Sequence, residues 1–309
     1  MPEPDPTPPR RTHAGVFLVG SALVVVALAF GVLYFALFTR PEARPEAPPP
    51  PPPLSLTIAT LEGPVEVFRA GAWAPAAAGS RLAASDRVRT GAGARATLRL
   101  SDGSTVSLEP MTETQVQALD RALSRIRLGA GLVQADIADD PGRLFQVDLD
   151  DDGAAARTHG AAFAITSNGA GGAAAVSASR GQVTVAARGR EVVIRSGEIT
   201  RVAPGAAPTA PEPLPAALLL KVAWPQRPLH APSAVVEGET EPAARLEVQG
   251  RPTPVGADGR YRVVVALREG ENRVTVRARL AGAPTREERS PPITVDTRTD
   301  FKVQIPRWK

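Results

Sequence analysis

The hydrophobic and polar positions of this 309-residue chain fall into three successive regimes. In the first, residues 14–38, AGVFLVGSALVVVALAFGVLYFALF, carry no charge. At ~1.5 Å per residue such a run forms a helix of roughly 37 Å, enough to cross a ~30 Å hydrocarbon layer with some tilt. It lacks the polar stripe of a helix packed on a globular core. It ends in Thr39-Arg40-Pro41-Glu42, without the small-x-small site at which a signal peptide is cut. The pattern predicts a transmembrane helix over 14–38, with residues 1–13 as a short cytoplasmic tail. Arg10 and Arg11 before the run are matched by Arg40 and Arg44 after it, so charge does not set the orientation. The expected orientation rests on a short tail preceding a long body, the layout of a signal-anchor.

From Leu54 the period changes to two. Leu54-Ser-Leu-Thr-Ile-Ala59 and Ala96-Thr-Leu-Arg-Leu-Ser101 alternate as half-buried strands do. Ser101-Asp102-Gly103-Ser104 separates the second run from Thr105-Val-Ser-Leu108 and predicts a tight hairpin. Residues 144–149, 161–166, 182–187 and 191–195 predict further strands. The segment 114–128 has the alanines and leucines of a helix, but Ser124-Arg-Ile-Arg-Leu128 alternates, so two strands turning near Asp120 are expected. Gly-x-Val recurs at Gly63-Pro-Val65, Gly131-Leu-Val133 and Gly181-Gln-Val183. Glycines at corners followed by branched residues facing a core suit a stacked β-roll or solenoid.

Proline-rich stretches bound this region. Residues 39–53 include six consecutive prolines, Pro48 to Pro53, and predict a stiff polyproline linker reaching up to roughly 40 Å. Residues 204–217, rich in proline and alanine, predict a second linker. In the third regime, 218–309, about seven short strands with Asp258-Gly259 and Glu269-Gly270 turns predict a β-sandwich. The expected fold class is mainly β.

Composition narrows the chemistry. Cysteine is absent, and the three histidines, His13, His159 and His230, are far apart. Disulfides, thiolate zinc sites, cysteine nucleophiles and a histidine acid–base pair are therefore not expected. Of the 36 basic residues only Lys221, Lys302 and Lys309 are lysine. Charge balances at 16 basic to 16 acidic over 54–203 and is modestly basic, 16 to 11, over 218–309. Outside the apolar run, the aromatic residues Phe68, Trp73, Phe145, Phe163, Trp224, Tyr261, Phe301 and Trp308 do not cluster with arginines, so no nucleic-acid partner is expected.

Asp148-Leu-Asp150-Asp-Asp152-Gly153 matches the front half of a calcium loop, D-x-D-x-D-G. The twelfth position is His159 rather than a closing glutamate, and an acidic hairpin tip accounts for the same residues. Ser167-Asn-Gly-Ala-Gly-Gly172 has the glycines of a phosphate cradle, but neither helix nor lysine follows, and it reads as a flexible hairpin loop. There is no Gly-x-Ser-x-Gly, HExxH or Walker pattern. No catalytic, cofactor-binding or metal residue is assigned, no cofactor is expected, and the chain is not expected to be an enzyme.

Gly63-x-Val65-x-Val67, Trp73, Gly79, Asp86-Arg-Val-Arg-Thr-Gly91 and the block Ala94 to Leu108 with its Asp102-Gly-Ser104 resemble the FecR domain. Leu128-x-x-Gly131-x-Val133, Phe145-x-Val147, Gly181-x-Val183-x-Val185 and Gly197-Glu198 continue the resemblance in order, over 54–203. Where the family usually has Val-Arg-Gly-Thr-x-Phe, this chain has Arg157-Thr-His-Gly160-Ala-Ala-Phe163. The resemblance implies a periplasmic β domain on a single-span protein, in a family whose namesake relays a signal from an outer-membrane receptor to a sigma factor. That output needs a cytoplasmic helical domain, and 13 residues ahead of the span are too few to form one. Farther on, Gly238-x-Thr240-x-Pro242, Asp258-Gly259-x-Tyr261 and Leu267-x-x-Gly270-x-Asn272 are similar to bacterial Ig-like domains, close in style to the accessory domain of glucodextranase. These are turn and core positions and imply no ligand site.

The combined expectation is a FecR-like roll and an Ig-like sandwich on a single-pass protein of the inner (cytoplasmic) membrane, with its bulk in the periplasm. It would act as a protein-binding, sensing or scaffolding module without a cytoplasmic sigma-regulating domain. The expected partners are the inner membrane and an envelope protein or cell-wall component. The alternative is a cell-wall or carbohydrate-binding envelope module.

Overall fold

The computed structural model describes residues 26–35, 54–149 and 153–297, which belong to two compact units divided between Pro52 and Pro53. In the first unit, residues 26–35 form a helix with every residue exposed. No helix among the described residues is long and apolar enough to cross a membrane. The remainder of 14–38 lies outside the described residues, as do the tail 1–13, the linker 39–53 and residues 298–309.

The second unit is mainly β. Its first strands are β1 (Leu56–Glu62), β2 (Val65–Arg69), β3 (Ala72–Pro75), β4 (Arg81–Leu82), β5 (Arg87–Thr90), β6 (Arg95–Leu100), β7 (Thr105–Leu108) and β8 (Glu113–Leu119). There follow β9 (Leu123–Ile137), β10 (Leu144–Leu149), β11 (Ala154–Thr158), β12 (Ala161–Ser167), β13 (Ala174–Ala187), β14 (Arg190–Arg195), β15 (Glu198–Val202) and β16 (Glu212–Pro213). Alternation decides which side chains turn inward. In β6, Ala96, Leu98 and Leu100 are buried, while Arg95 and Arg99 are exposed. Asp120 closes the β8–β9 turn, its Oδ1 accepting from the Leu123 and Ala122 backbone at 2.8 and 2.9 Å. The ambiguous 114–128 segment is thus the pair of strands expected.

These strands hydrogen-bond into two layers that share β9 and β13. One layer runs β4-β1-β6-β7-β9-β12-β13-β15-β16. The other runs β3-β2-β5-β8-β9-β10-β11-β13-β14. Within them only β9 and β10 pair in parallel. The first half of β9 bonds to β8 and β10, and its second half to β7 and β12. The change of layer falls at Gly131, with φ of 133°, where a Cβ would overlap Thr112. β13 changes layer at Gly181, with φ of 72°, where a Cβ would sit 2.6 Å from the Gly160 carbonyl oxygen. Glycine permits both the conformation and the close approach. Val133 and Val183, two residues on, are buried in the core between the layers. Gly-x-Val therefore marks corners of this roll, as its recurrence suggested. Phe145 and Phe163 meet edge-on in the same core, with ring centroids 6.3 Å apart.

Residues 204–217 run along the roll. The Thr209 backbone N–H donates to the Arg201 carbonyl at 2.9 Å, and that of Leu214 to Gly197 at 2.8 Å, on either side of β16. Then come β17 (Leu220–Ala223), β18 (Ser233–Thr240), β19 (Arg245–Val248), β20 (Arg251–Thr253), β21 (Arg260–Ala266), β22 (Gly270–Asn272), β23 (Thr275–Arg279), β24 (Arg286–Arg289) and β25 (Ile293–Val295). They form antiparallel sheets β17-β18-β21, β20-β19-β23-β24 and β22-β25. Val236, Leu246, Val276 and Ile293, from all three sheets, share one core. Tyr261 lies over Gly238 and donates its hydroxyl to the Lys221 carbonyl at 3.1 Å. Burial pushes that hydroxyl's pKa up to about 12, so it remains a donor.

Candidate functional site

The acidic hairpin tip is where sequence placed its one metal-like motif. Leu149 of β10 pairs with Ala154 of β11, so 150–153 is the connection between two antiparallel strands. Asp148 is buried in β10. Its Oδ2 accepts from Arg125 Nε at 2.7 Å and its Oδ1 from Gln146 Nε2 at 2.6 Å. Both oxygens are thus engaged, one by a neighbouring strand and one within β10 itself. His159 Nδ1 lies 2.8 Å from the Arg143 carbonyl oxygen, at the corner between β11 and β12. Asp150 and Asp152 lie outside the described residues. Among the described residues no group of three or more acidic, histidine or cysteine side chains is placed to hold a metal.

The glycine-rich segment 167–172 is a hairpin connection, Ser167 pairing with Ala174. It is also tied to the C-terminal strands. Asn168 Nδ2 donates to the Ala244 carbonyl at 3.2 Å, and the Ser167 carbonyl accepts from Arg245 at 3.0 Å.

The outer face of the second layer corrects one expectation directly, for aromatic residues do cluster with arginines. β2 sets Phe68 opposite Trp73 of β3 on one side and Arg87 of β5 on the other. The two rings stand 5.3 Å apart. Arg89 lies 4.0 Å over Trp73, and Arg87 lies 5.4 Å from Trp73 and 5.5 Å from Phe68. Such stacking contributes about 0.5–1 kcal/mol at exposed positions. The face continues as a series of guanidinium–carboxylate pairs, three between neighbouring strands and one reaching over β13 from β11 to β14. Arg87 pairs with Glu113, Arg89 with Glu66 at 2.6 Å, Arg125 with Asp148, and Arg157 with Glu191 at 3.3 Å. Because each of these arginines meets an acid, the face carries no basic stripe of the kind that tracks a phosphate backbone. The sequence signal for it was present in Arg87-Val-Arg89 and Arg125-Ile-Arg127, where arginines two apart fall on one face of a strand.

Asp86 and Asp102 act as fasteners. Burial alone would raise the Asp86 carboxyl, but hydrogen bonds from Arg69 and the Ala83 N–H outweigh it and hold the pKa below the ordinary aspartate value. Arg69 Nη2 approaches Asp86 Oδ2 to 2.5 Å. Asp102, likewise opposed by burial, is held low by Ser104 and Arg143, and it closes the Ser101–Ser104 turn.

The arrangement defines a class: a two-layer β protein whose distinctive surface is a charge-paired sheet face, with strand edges beside it. Residues 86–184, from the start of β5 into β13, match the model of the FecR family, described as FecR protein. The match takes in 99 of the 309 residues. Two crystal structures of a candidate anti-sigma factor from Parabacteroides distasonis ATCC 8503 are similar at a TM-score of 0.37, with 18% and 19% identity. The similarity covers 41% of this chain and 59% of each of theirs. No curated protein matches this chain.

Proposed function

We propose that the chain is a membrane-anchored envelope protein whose FecR-like roll serves as a protein-binding, sensing or scaffolding module, with the C-terminal strands forming an Ig-like sandwich beside it. The observation that carries this reading is the FecR match over 86–184, which falls on the strands that build the centre of the roll. The anchor is the uncharged run 14–38, and the body lies in the periplasm. Two features supply contact surfaces for a partner. One is the paired-charge face around Phe68, Trp73, Arg87 and Arg89. The other is β14, the outermost strand of its layer, with Val193 exposed. No reaction and no cofactor enter the proposal.

Photo-crosslinking in intact cells tests it, with the crosslinker placed at Trp73 or Val193. We expect a discrete adduct with one envelope protein from Trp73, from Val193 or from both. A pattern no different from that of a buried control position such as Val133 would contradict the reading. The second reading, binding of cell-wall glycan, draws on a groove of about 760 Å³ lined by Thr105, Ser107, Gln134, Asp136 and Ser179, with the 280–285 segment as its wall. Its one aromatic, Phe163, is buried, so it lacks the ring platform on which sugars stack. Saturable retention on purified cell wall, abolished by Gln134→Ala, would favour this second reading over the first.

A further inference from the structure

The roll and the C-terminal strands of the second unit meet through polar contacts centred on one side chain. Arg245 opens β19 and is buried, and its guanidinium reaches into the roll. Nη1 donates to the Ser167 carbonyl at 3.0 Å and Nη2 to the Met111 carbonyl at 3.1 Å. Ser167 ends β12, and Met111 sits between β7 and β8 at φ of 56°. Asn168 adds its bond to Ala244, and Arg201 Nη2 lies 3.4 Å from Glu241.

The packing around these bonds sets small side chains beside two larger ones, Ile199 and Leu280. Ala164, Ala173, Ala175 and Ile199 of the roll join the core that holds Ala244, Leu280 and Ala281. Gly282 approaches so closely that a Cβ there would collide with the Ser177 hydroxyl. Most of the roll's side chains here are alanine, which buries little apolar area, so the seam gains less per residue than the leucine, isoleucine and valine core between the roll's layers. Arg245 is itself costly to bury. Burial lowers its pKa, Glu247 acts against that, and the neighbouring Arg279, ion-paired with Glu247, adds to it. Its compensation comes from two carbonyls of the other half. Separating the halves therefore breaks these polar bonds and uncovers Ala164, Ala173, Ala175 and Ile199, while the core between the roll's two layers stays whole.

We propose that Arg245 is the latch of an openable cap: β17–β25 lift from the roll as one body when its two carbonyl bonds are released, uncovering the face that carries Ala164, Ser177 and Ile199. The absence of cysteine makes the opening measurable with single thiols in the full chain. Ser177 and Ala178 are neighbours on β13 that face opposite ways, the first under the cap and the second into the roll core. We expect the thiol of Ser177→Cys to react at least ~10-fold faster than that of Ala178→Cys, because opening requires less than unfolding the roll. Adding Arg245→Met should raise the Ser177→Cys rate by about 10- to 100-fold and leave Ala178→Cys unchanged. Arg245→Lys keeps the charge but offers one ammonium to two carbonyls, and should raise the rate by a smaller factor. Equal rates at the two positions with Arg245 in place would overturn the proposal, since the cap would then open only when the roll unfolds. A parallel rise at both positions on substituting Arg245 would overturn it equally.

Discussion

The roll and the C-terminal strands cover their sheets by different means. The roll closes two broad layers on each other with β9 and β13, which pass from one layer to the other at Gly131 and Gly181. Between the layers lie Leu98, Leu108, Leu128, Phe145, Ile165 and their neighbours. The C-terminal half has shorter strands in three separate sheets, buries Arg245, Glu247 and Arg279, and shares a face of the roll to complete its core. Stability in the larger roll therefore resides mainly in apolar packing and corner glycines, though it too buries charges at Asp86, Arg143 and Asp148. In the C-terminal half more of it rests on charge satisfaction, and a single polar substitution there should reach farther than its size suggests.

Substitutions in each half sharpen that contrast. The largest expected loss is for Phe145→Ala, about 3–5 kcal/mol by denaturant unfolding, because it empties an aromatic position between the layers. Glu247→Gln should cost about 3 kcal/mol, nearly as much, by leaving the Arg279 and Arg245 charges buried without their acid. A loss below about 1 kcal/mol at Glu247 would remove the distinction between the halves. Gly131→Ala should cost about 2–3 kcal/mol, combining a disfavoured φ with the overlap on Thr112.

Acid should act chiefly through the roll's aspartates. The Asp86 and Asp102 pKa values are lower in the folded chain than their ordinary values. The unfolded chain then binds more protons in this range, so their contribution is complete above about pH 4 and is lost as pH falls through the depressed folded values. Urea midpoints between pH 5 and pH 2 should fall less steeply in Asp86→Asn and Asp102→Asn than in the parent chain. The smallest effect is expected at the exposed pairs, where Arg89→Ala should change stability by at most about 1 kcal/mol. Loss of crosslinking at Trp73 in that variant, with the midpoint unchanged, would mark the face as a binding surface.

Local pattern made strands and turns legible, and register is what it withheld. Local pattern located β6, β7, β10, β12 and β14, Asp102-Gly103 gave the turn between β6 and β7, and Asp120 gave that between β8 and β9. The corner role of Gly131 and Gly181 followed from a glycine preceding branched core residues. The cluster of Phe68, Trp73, Arg87 and Arg89 did not, because it is assembled by pairing β2 with both β3 and β5. No local period encodes which strands become neighbours. Residues 204–217 showed the proline content of a linker, and their bonds to β15 arise from backbone geometry that composition does not specify. The Arg245 contacts lie beyond sequence reading for the same reason, since their acceptors are carbonyls 78 and 134 positions away.

The central claim is that this β body is displayed in the envelope from a membrane anchor. The most direct test uses Ser101→Cys, an exposed turn position in a chain that otherwise has no cysteine, with a membrane-impermeant maleimide on spheroplasts. The account expects the chain in the membrane fraction, labelled as fully in intact spheroplasts as after lysis. Labelling that requires lysis, or a chain recovered in the cytosolic fraction, would contradict it.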